Sequence, residues 1–246
     1  MPYLHRGGAI RALADLLMPR TCLVCGRILG SQEKHLCIWC EEDLPLTYYW
    51  ERQHNPMADE FNALLERYRP DQESLSYIYA AALLFYHHEN PYKQIPKALK
   101  YRNNLPAGRY FAAQMGRYLA SGTAFKDVDL VIPVPLHWHR KWRRGYNQAE
   151  VIAKELAAAL GAQIRTDVLC RARRTRTQTS LDAESRVKNV ANVFRIRHLP
   201  SAARHILIVD DTFTTGATLS ACYNILHTAL GPDVRISVAT LSVVQD

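Results

Sequence analysis

The chain has 246 residues, 48% of them hydrophobic, and a formal net charge of +8 at pH 7. That length holds one full α/β domain with a small appendage, and nothing in it approaches the ~18 consecutive apolar residues of a membrane span. The positive balance favours anionic partners without choosing between a small phosphorylated ligand and nucleic acid.

Residues 9–18, Ala-Ile-Arg-Ala-Leu-Ala-Asp-Leu-Leu-Met, are broken by Arg11 and Asp15. They read as an amphipathic helix rather than a signal peptide, which predicts a cytoplasmic protein with no membrane insertion. Four of the six cysteines follow as Cys22-Leu-Val-Cys25 and Cys37-Ile-Trp-Cys40, eleven residues apart. Two such knuckles place four thiolates around one tetrahedral ion, and softness and geometry favour Zn²⁺. Gly26 permits the tight turn after the first pair. Disulfides are the competing reading, disfavoured in a cytoplasmic setting. An iron–sulfur centre lacks a typical ferredoxin spacing here. Four protein ligands leave no open position, so the metal is expected to be structural. Cys170 and Cys222 have no metal spacing and read as small buried apolar residues.

Glu41 to Ser76 reads as a connector with one helix, started by Asn55-Pro56, faced by Phe61, Leu64, Leu65 and Tyr68, and ended near Arg69-Pro70. From Tyr77 the pattern changes. Tyr77–Tyr86 is a β-prone run, Lys97–Arg102 is basic, and Tyr110–Leu119 has helical period. Val128–Val134 reads as a buried strand ending at Pro133-Val134-Pro135. The loop Leu136–Gly145 interleaves Trp138 and Trp142 with His139, Arg140, Lys141, Arg143 and Arg144. Those rings suit stacking on bases in a single strand, or packing beneath the loop. A helix is expected from Asn147, with Ala149, Ile152, Ala153, Leu156 and Leu160 on one face and Gly161 closing it. Ala162–Thr166 and Val193–Arg197 are further short strands. Between them, Arg171–Asn192 is polar and cationic, as a lid over a polyanion would be, with Gln178 and Arg186 as contacts on closure. A nucleic-acid-binding or merely solubilising loop has the same composition.

Ile206 to Val209 suits a strand buried on both faces, and it is followed at once by Asp210 and Asp211. Thr212, Phe213, Thr214, Thr215, Gly216, Ala217 and Thr218 lead into a helix carrying Leu219, Cys222, Leu226 and Leu230. A hydroxyl-bearing loop that opens a helix presents N–H groups to a phosphate, and two carboxylates beside it can accept from a vicinal diol. The ligand so described is a ribose 5-phosphate. Val234–Val244 supplies a last strand, and the alternation of strands with helices indicates a parallel doubly wound sheet. No Walker A loop or G-x-G-x-x-G turn occurs.

The stretch from Asp210 to Thr218 resembles the phosphoribosyl pyrophosphate (PRPP) motif of the type I phosphoribosyltransferases. Phe213 is its one unusual filling, since the resemblance implies smaller residues there and so a phenyl ring that shapes the neighbouring base pocket. The resemblance implies that Asp210 and Asp211 hold the ribose hydroxyls and orient the ribose in catalysis, while Thr212, Thr214, Thr215, Gly216, Ala217 and Thr218 complete the PRPP site. It also implies a pyrophosphate loop after the first core strand, here Val134, Pro135, Leu136 and His137 with Arg140, Arg143 and Arg144, and Mg²⁺ bound together with PRPP. With the knuckles, Lys100-Tyr101-Arg102, Arg144-Gly145-Tyr146-Asn147-Gln148 and Gln178-Thr-Ser-Leu181, the chain is similar over nearly its whole length to the ComF/GntX family. That similarity implies an α/β chain of type I phosphoribosyltransferase fold, a parallel sheet flanked by helices, with a small N-terminal zinc-ribbon domain. The expected division is a zinc ribbon at 1–45, a helical connector at 46–76, and a phosphoribosyltransferase-like domain at 77–246, whose hood and first helix occupy 77–125 and whose core occupies 126–246. The family implies handling of incoming single-stranded DNA in natural transformation, with DNA-uptake proteins as partners. The alternative is a metabolic transferase that moves the phosphoribosyl group to an unidentified nitrogenous acceptor.

Overall fold

The computed structural model describes residues 19–68, 76–101, 104–137, 139, 142, 144–172 and 193–245. The segment 9–18 and the central stretch of the expected lid lie outside them. In chain order the elements are α1 Ile38–Glu42, α2 Pro56–Tyr68, β1 Ala80–Tyr86, α3 Gln94–Tyr101, α4 Leu105–Ser121, β2 Leu130–Pro133, α5 Gln148–Leu160, β3 Gln163–Ile164, β4 Leu169–Arg171, β5 Phe194–Ile196, β6 His205–Phe213, α6 Ala217–Leu230 and β7 Arg235–Val244.

Among the described residues five strands form one sheet in the order β1-β7-β6-β2-β3, and every pairing in it is parallel. Parallel strands with helices on both faces must be apolar throughout, which is what Ala80–Leu84 and Ile206–Val209 provide. The connections β1 to β2 and β2 to β3 run one way across the sheet, whereas β6 to β7 runs the other way. Right-handed crossovers therefore put α4 and α5 on one face and α6 on the opposite face. The packing agrees: α4 lies against α5, and α6 lies against α2. The expected doubly wound sheet is the one found.

Strand limits moved where pairing partners decide them. The strand expected at Val128–Val134 is Leu130–Pro133, and that expected at Ala162–Thr166 is only Gln163–Ile164. Val193–Arg197 supplies β5, but β5 joins β4 in a separate antiparallel pair, not the main sheet. The strand ending in the acidic pair continues through Phe213, because the ten-residue β7 offers Thr240, Ser242 and Val243 as partners to Asp210, Thr212 and Phe213. The carboxylates thus sit on a strand, not in a loop. Ala80–Tyr86, within the stretch expected to form the hood, lies at the edge of the main sheet.

Helix ends follow their sequence signals. Asn55 Oδ1 accepts from Ala58 N–H at 3.0 Å and opens α2, while its amide donates to Ala80 O at 3.0 Å. Gly161 closes α5 with φ +66°. The connector does more than link. Leu46 bridges Leu84 in antiparallel fashion, with Thr47 N–H donating to Leu83 O and Phe85 N–H to Pro45 O, so residues 45–47 cover the outer edge of β1. Trp50 is buried and stacks on Tyr118 of α4 with ring centroids 4.5 Å apart. Buried side chains form one continuous cluster that runs from Cys22 to Val243. Among the described residues no helix is long and apolar enough to cross a membrane.

Candidate functional site

Neighbouring strands β6 and β2 are followed by helices on opposite faces, and a crevice opens beyond the carboxyl ends of such a pair. Pro133 closes β2 without cost. Asp129 and Val131 turn their carbonyls toward β3, so the position of Pro133 faces that side, where β3 has already ended. Val134 N–H then donates to Val209 O at 2.8 Å, which sets the turn after β2 beside Asp210. Asn147 holds the turn from behind: its amide donates to Val134 O at 2.9 Å, and its Oδ1 accepts from Ala149 N–H at 3.2 Å to start α5.

Asp210 and Asp211 are both partly buried at the end of β6. The Asp211 N–H donates to Asp210 Oδ1 at 2.8 Å. Burial, followed by the Asp211 charge, pushes the Asp210 carboxyl up to about 7, against the opposing influence of that N–H, Lys100 and Arg171. Lys100 on α3 reaches Asp211 Oδ1 at 3.0 Å and donates to Thr212 Oγ1 at 3.1 Å. Thr212 Oγ1 also lies 3.1 Å from Ser242 Oγ. Neither Lys100 nor Arg171 was singled out as a site residue by sequence; one stood only in a motif and the other only in a basic run. No local pattern states that residue 100 meets residue 211. Cys222 is buried beneath, its thiol pushed well up by burial and by Asp210, consistent with a small apolar residue.

After Phe213 the chain turns through an exposed Thr214 and a half-buried Thr215 to Gly216, which stands at φ +66° and begins α6 with no side-chain cap. The first N–H groups of α6 therefore point past the carboxyl end of the sheet without a side-chain acceptor, the arrangement that receives anions. Ala217 is buried and Thr218 half-buried on the first turn. A Cβ on Gly216 would stand 3.0 Å from the Phe213 ring and 3.1 Å from Leu64 of α2. Phe213 does not shape a base pocket: it is 1% exposed and meets Phe61 edge-on, so its bulk lies under the loop, in the core.

Of the loop after β2, Val134 and His137 are buried, while Pro135 and Leu136 are half-buried. His137 Nδ1 accepts from His139 N–H at 3.3 Å. Arg144 donates to Gln148 Oε1 at 3.1 Å at the start of α5. Trp142 is 81% exposed and does not pack beneath the loop. Trp138, Arg140, Lys141 and Arg143, and the lid residues Gln178 and Arg186, lie outside the described residues.

The second cluster is at the other end of the chain. The Sγ atoms of Cys22, Cys25, Cys37 and Cys40 all lie within 4.8 Å of one another, and Cys25 Sγ is 3.7 Å from Cys37 Sγ. None is in a disulfide. Tetrahedral thiolates at about 2.3 Å from zinc are about 3.8 Å apart, so this donor set can hold a metal ion and is compatible with a zinc ribbon. Burial opposes ionisation of Cys22, yet the N–H groups of Cys25, Cys37 and Val24 outweigh it and bring the thiol down to about 7. Gly26 turns at φ +74° and donates its N–H to Cys22 O at 3.0 Å, as the knuckle requires. The cluster is joined to the sheet domain: Tyr92, immediately before α3, donates to Cys40 O at 3.2 Å and to Asp43 at 3.1 Å, and Tyr110 of α4 donates to Glu41.

The opposite end of the sheet carries a buried polar group that sequence did not reveal. His205 is 1% exposed, with Nδ1 2.9 Å from Asp127 and Nε2 2.8 Å from Ser237, and burial brings its imidazole down to about 4. Beside it a cavity of about 520 Å³ is lined by residues including Asp129, Gln163, Arg165 and Arg204. It lies at the amino ends of the strands, away from Asp210 and Asp211.

No family model matches the chain. Known proteins do resemble it. The DNA utilization protein YhgH of Escherichia coli (strain K12) is 40% identical over 104 residues, 42% of this chain and 45% of that protein. The protein of the same name from Shigella flexneri is 41% identical over the same length. Competence protein F of Haemophilus influenzae is 32% identical over 148 residues, 57% of this chain and 64% of that one. The chain thus spans about half the length of the first of these relatives. An orotate phosphoribosyltransferase from Aeropyrum pernix is a slight structural likeness, with 14% identity and a TM-score of 0.32 over 60% of this chain and 61% of that one. The parallel sheet flanked by helices and the four-cysteine cluster therefore belong to a chain that is a homologue, over the matched stretches, of the proteins named DNA utilization protein YhgH and Competence protein F.

Proposed function

We propose that the carboxyl end of β6 binds PRPP or ribose 5-phosphate, that the chain has a type I phosphoribosyltransferase fold, and that it handles internalised single-stranded DNA in natural transformation. One observation carries the ligand: a pair of carboxylates at the switch point is followed within one turn by the uncapped start of α6. Asp210 and Asp211 accept from the ribose diol, and the N–H groups of Thr215 to Thr218 receive the 5-phosphate. Mg²⁺ accompanies PRPP on the oxygens of the ligand itself, and no side chain is assigned to it. The names of the homologues support the connection to DNA use. So does the 81% exposure of Trp142, a free ring for a base to stack on among the cations of its loop. The four cysteines are assigned to one structural Zn²⁺, the soft ion that suits four thiolates.

A second reading is group transfer. The turn after β2, held beside Asp210, supports it, because that is where a departing pyrophosphate would need its charge balanced. The two readings separate by turnover. With Mg²⁺ present, PRPP should raise the melting temperature, and Asp210→Asn together with Asp211→Asn should abolish the rise. No shift at saturating PRPP would refute the site. Pyrophosphate release on adding a candidate base would establish transfer; salt-dependent binding of a single strand without release would favour the DNA role.

A further inference from the structure

Lys100 is distant from the acidic pair in sequence, yet its ammonium makes two contacts there, 3.0 Å to Asp211 Oδ1 and 3.1 Å to Thr212 Oγ1. Its helix fixes this placement. Ile95, Ala98 and Leu99 are buried at the i, i+3, i+4 spacing of one face of α3. The Leu99 carbonyl accepts from the Tyr146 hydroxyl, and a Cβ on Gly108 of α4 would come within 2.5 Å of the Leu99 side chain. Lys100 is the next residue on a helix held at both sides. Its side chain is 26% exposed and that of Asp211 is 16% exposed, so solvent screens the pair less than an open surface bridge.

This contact competes with the use proposed for the carboxylates. A lone pair that accepts from the ammonium is not open to a sugar hydroxyl. A diol brings donors without charge, whereas a phosphate brings charge without carbon-bound hydroxyls. A ligand with both can give its hydroxyls to the carboxylates and its phosphate oxygens to the ammonium. We infer that Lys100 is a further binding residue of this site, handed from Asp211 to a phosphate or pyrophosphate oxygen when the diol takes the carboxylate. The inference rests on the sugar phosphate reading given above. It assigns the site a preference for polyols that are also anions: a neutral nucleoside displaces the ammonium without offering it a partner.

The test is calorimetry of PRPP with Mg²⁺ and of ribose, a neutral polyol, on wild type, Lys100→Gln and Lys100→Arg, with melting temperatures to check each fold. Loss of a charge-assisted contact should weaken PRPP about tenfold or more in Lys100→Gln, while ribose, which offers the lysine no partner, binds no more weakly, and Lys100→Arg keeps PRPP within about threefold. Equal PRPP affinity in wild type and Lys100→Gln would overturn the inference and leave the site reading intact. Equal weakening of PRPP and ribose would also overturn it, since the lysine would then act only through the acids. If wild type binds neither probe, the site reading itself fails. Should Lys100→Gln not fold, reductive methylation of wild type read by peptide mass spectrometry answers the question: PRPP with Mg²⁺ should protect Lys100, and equal labelling with and without PRPP would sink the handover.

Discussion

At the residue scale, Asp210 stores a conflict that pH exposes. An unfolded aspartate loses its proton near pH 4, whereas Asp210 in the fold holds it up to about 7. Between those values the folded chain binds more protons than the unfolded one, so stability falls as pH rises and levels off above about 7. Asp210→Asn keeps the shape and removes the charge. It should melt above wild type at pH 8, by roughly 2–4 °C for each kcal/mol relieved, and the gap should close toward pH 4. Calorimetric scans at the two pH values decide it; a gap that does not depend on pH would show that Asp210 is not the group responsible. The same charge serves the proposed ligand, since an ionised carboxylate accepts from a diol better than a carboxylic acid.

At the element scale, Asn147 is a joint rather than a cap alone. It starts α5 through Ala149 and pins the turn after β2 through Val134, from a position only 8% exposed. Asn147→Ala should lower stability by about 1–3 kcal/mol in urea unfolding, combining a lost cap with an orphaned buried carbonyl. Asn147→Asp keeps the acceptor for Ala149 but turns a carboxylate oxygen, not a donor, toward Val134 O, so it should cost at least as much. If both variants cost the same, the donor to Val134 is the contact that matters. This cap was legible in the sequence, as were Asn55-Pro56 before α2 and Gly161 after α5, because each acts on backbone a few residues away. The extension of β6 through Phe213 was not legible. It depends on how far β7 runs alongside, a fact held some thirty positions downstream. The fate of Phe213 was hidden for the same reason: Phe61, which receives it, belongs to a helix near the other end of the chain.

At the scale of the whole molecule, the cysteine cluster and the proposed ribose site share a route. Cys40 accepts from Tyr92, which leads into α3, and α3 carries Lys100 to Asp211. Cys22, Leu36 and Cys37 also belong to the same buried cluster as the sheet. Metal analysis should therefore find about one Zn²⁺ per chain. Stripping it with a strong chelator should lower the melting temperature of the entire protein in a single transition, because the cysteine segment is too short to hold itself. A separate low-temperature transition, with the main one unmoved, would show the cluster to be an independent unit. The acidic pair and the cysteine knuckles could be recognised as chemistry in one dimension, but the path between them is made of tertiary contacts alone.

The strap of residues 45–47 along β1 has a further effect. A parallel sheet has two rims where unpaired amides invite a neighbouring molecule to add on. Here one rim is sealed by that antiparallel strap, and the other, β3, is only two residues long. Cutting away the amino-terminal segment would bare the seven-residue, mostly apolar rim of β1 and invite copies of the chain to pair along it.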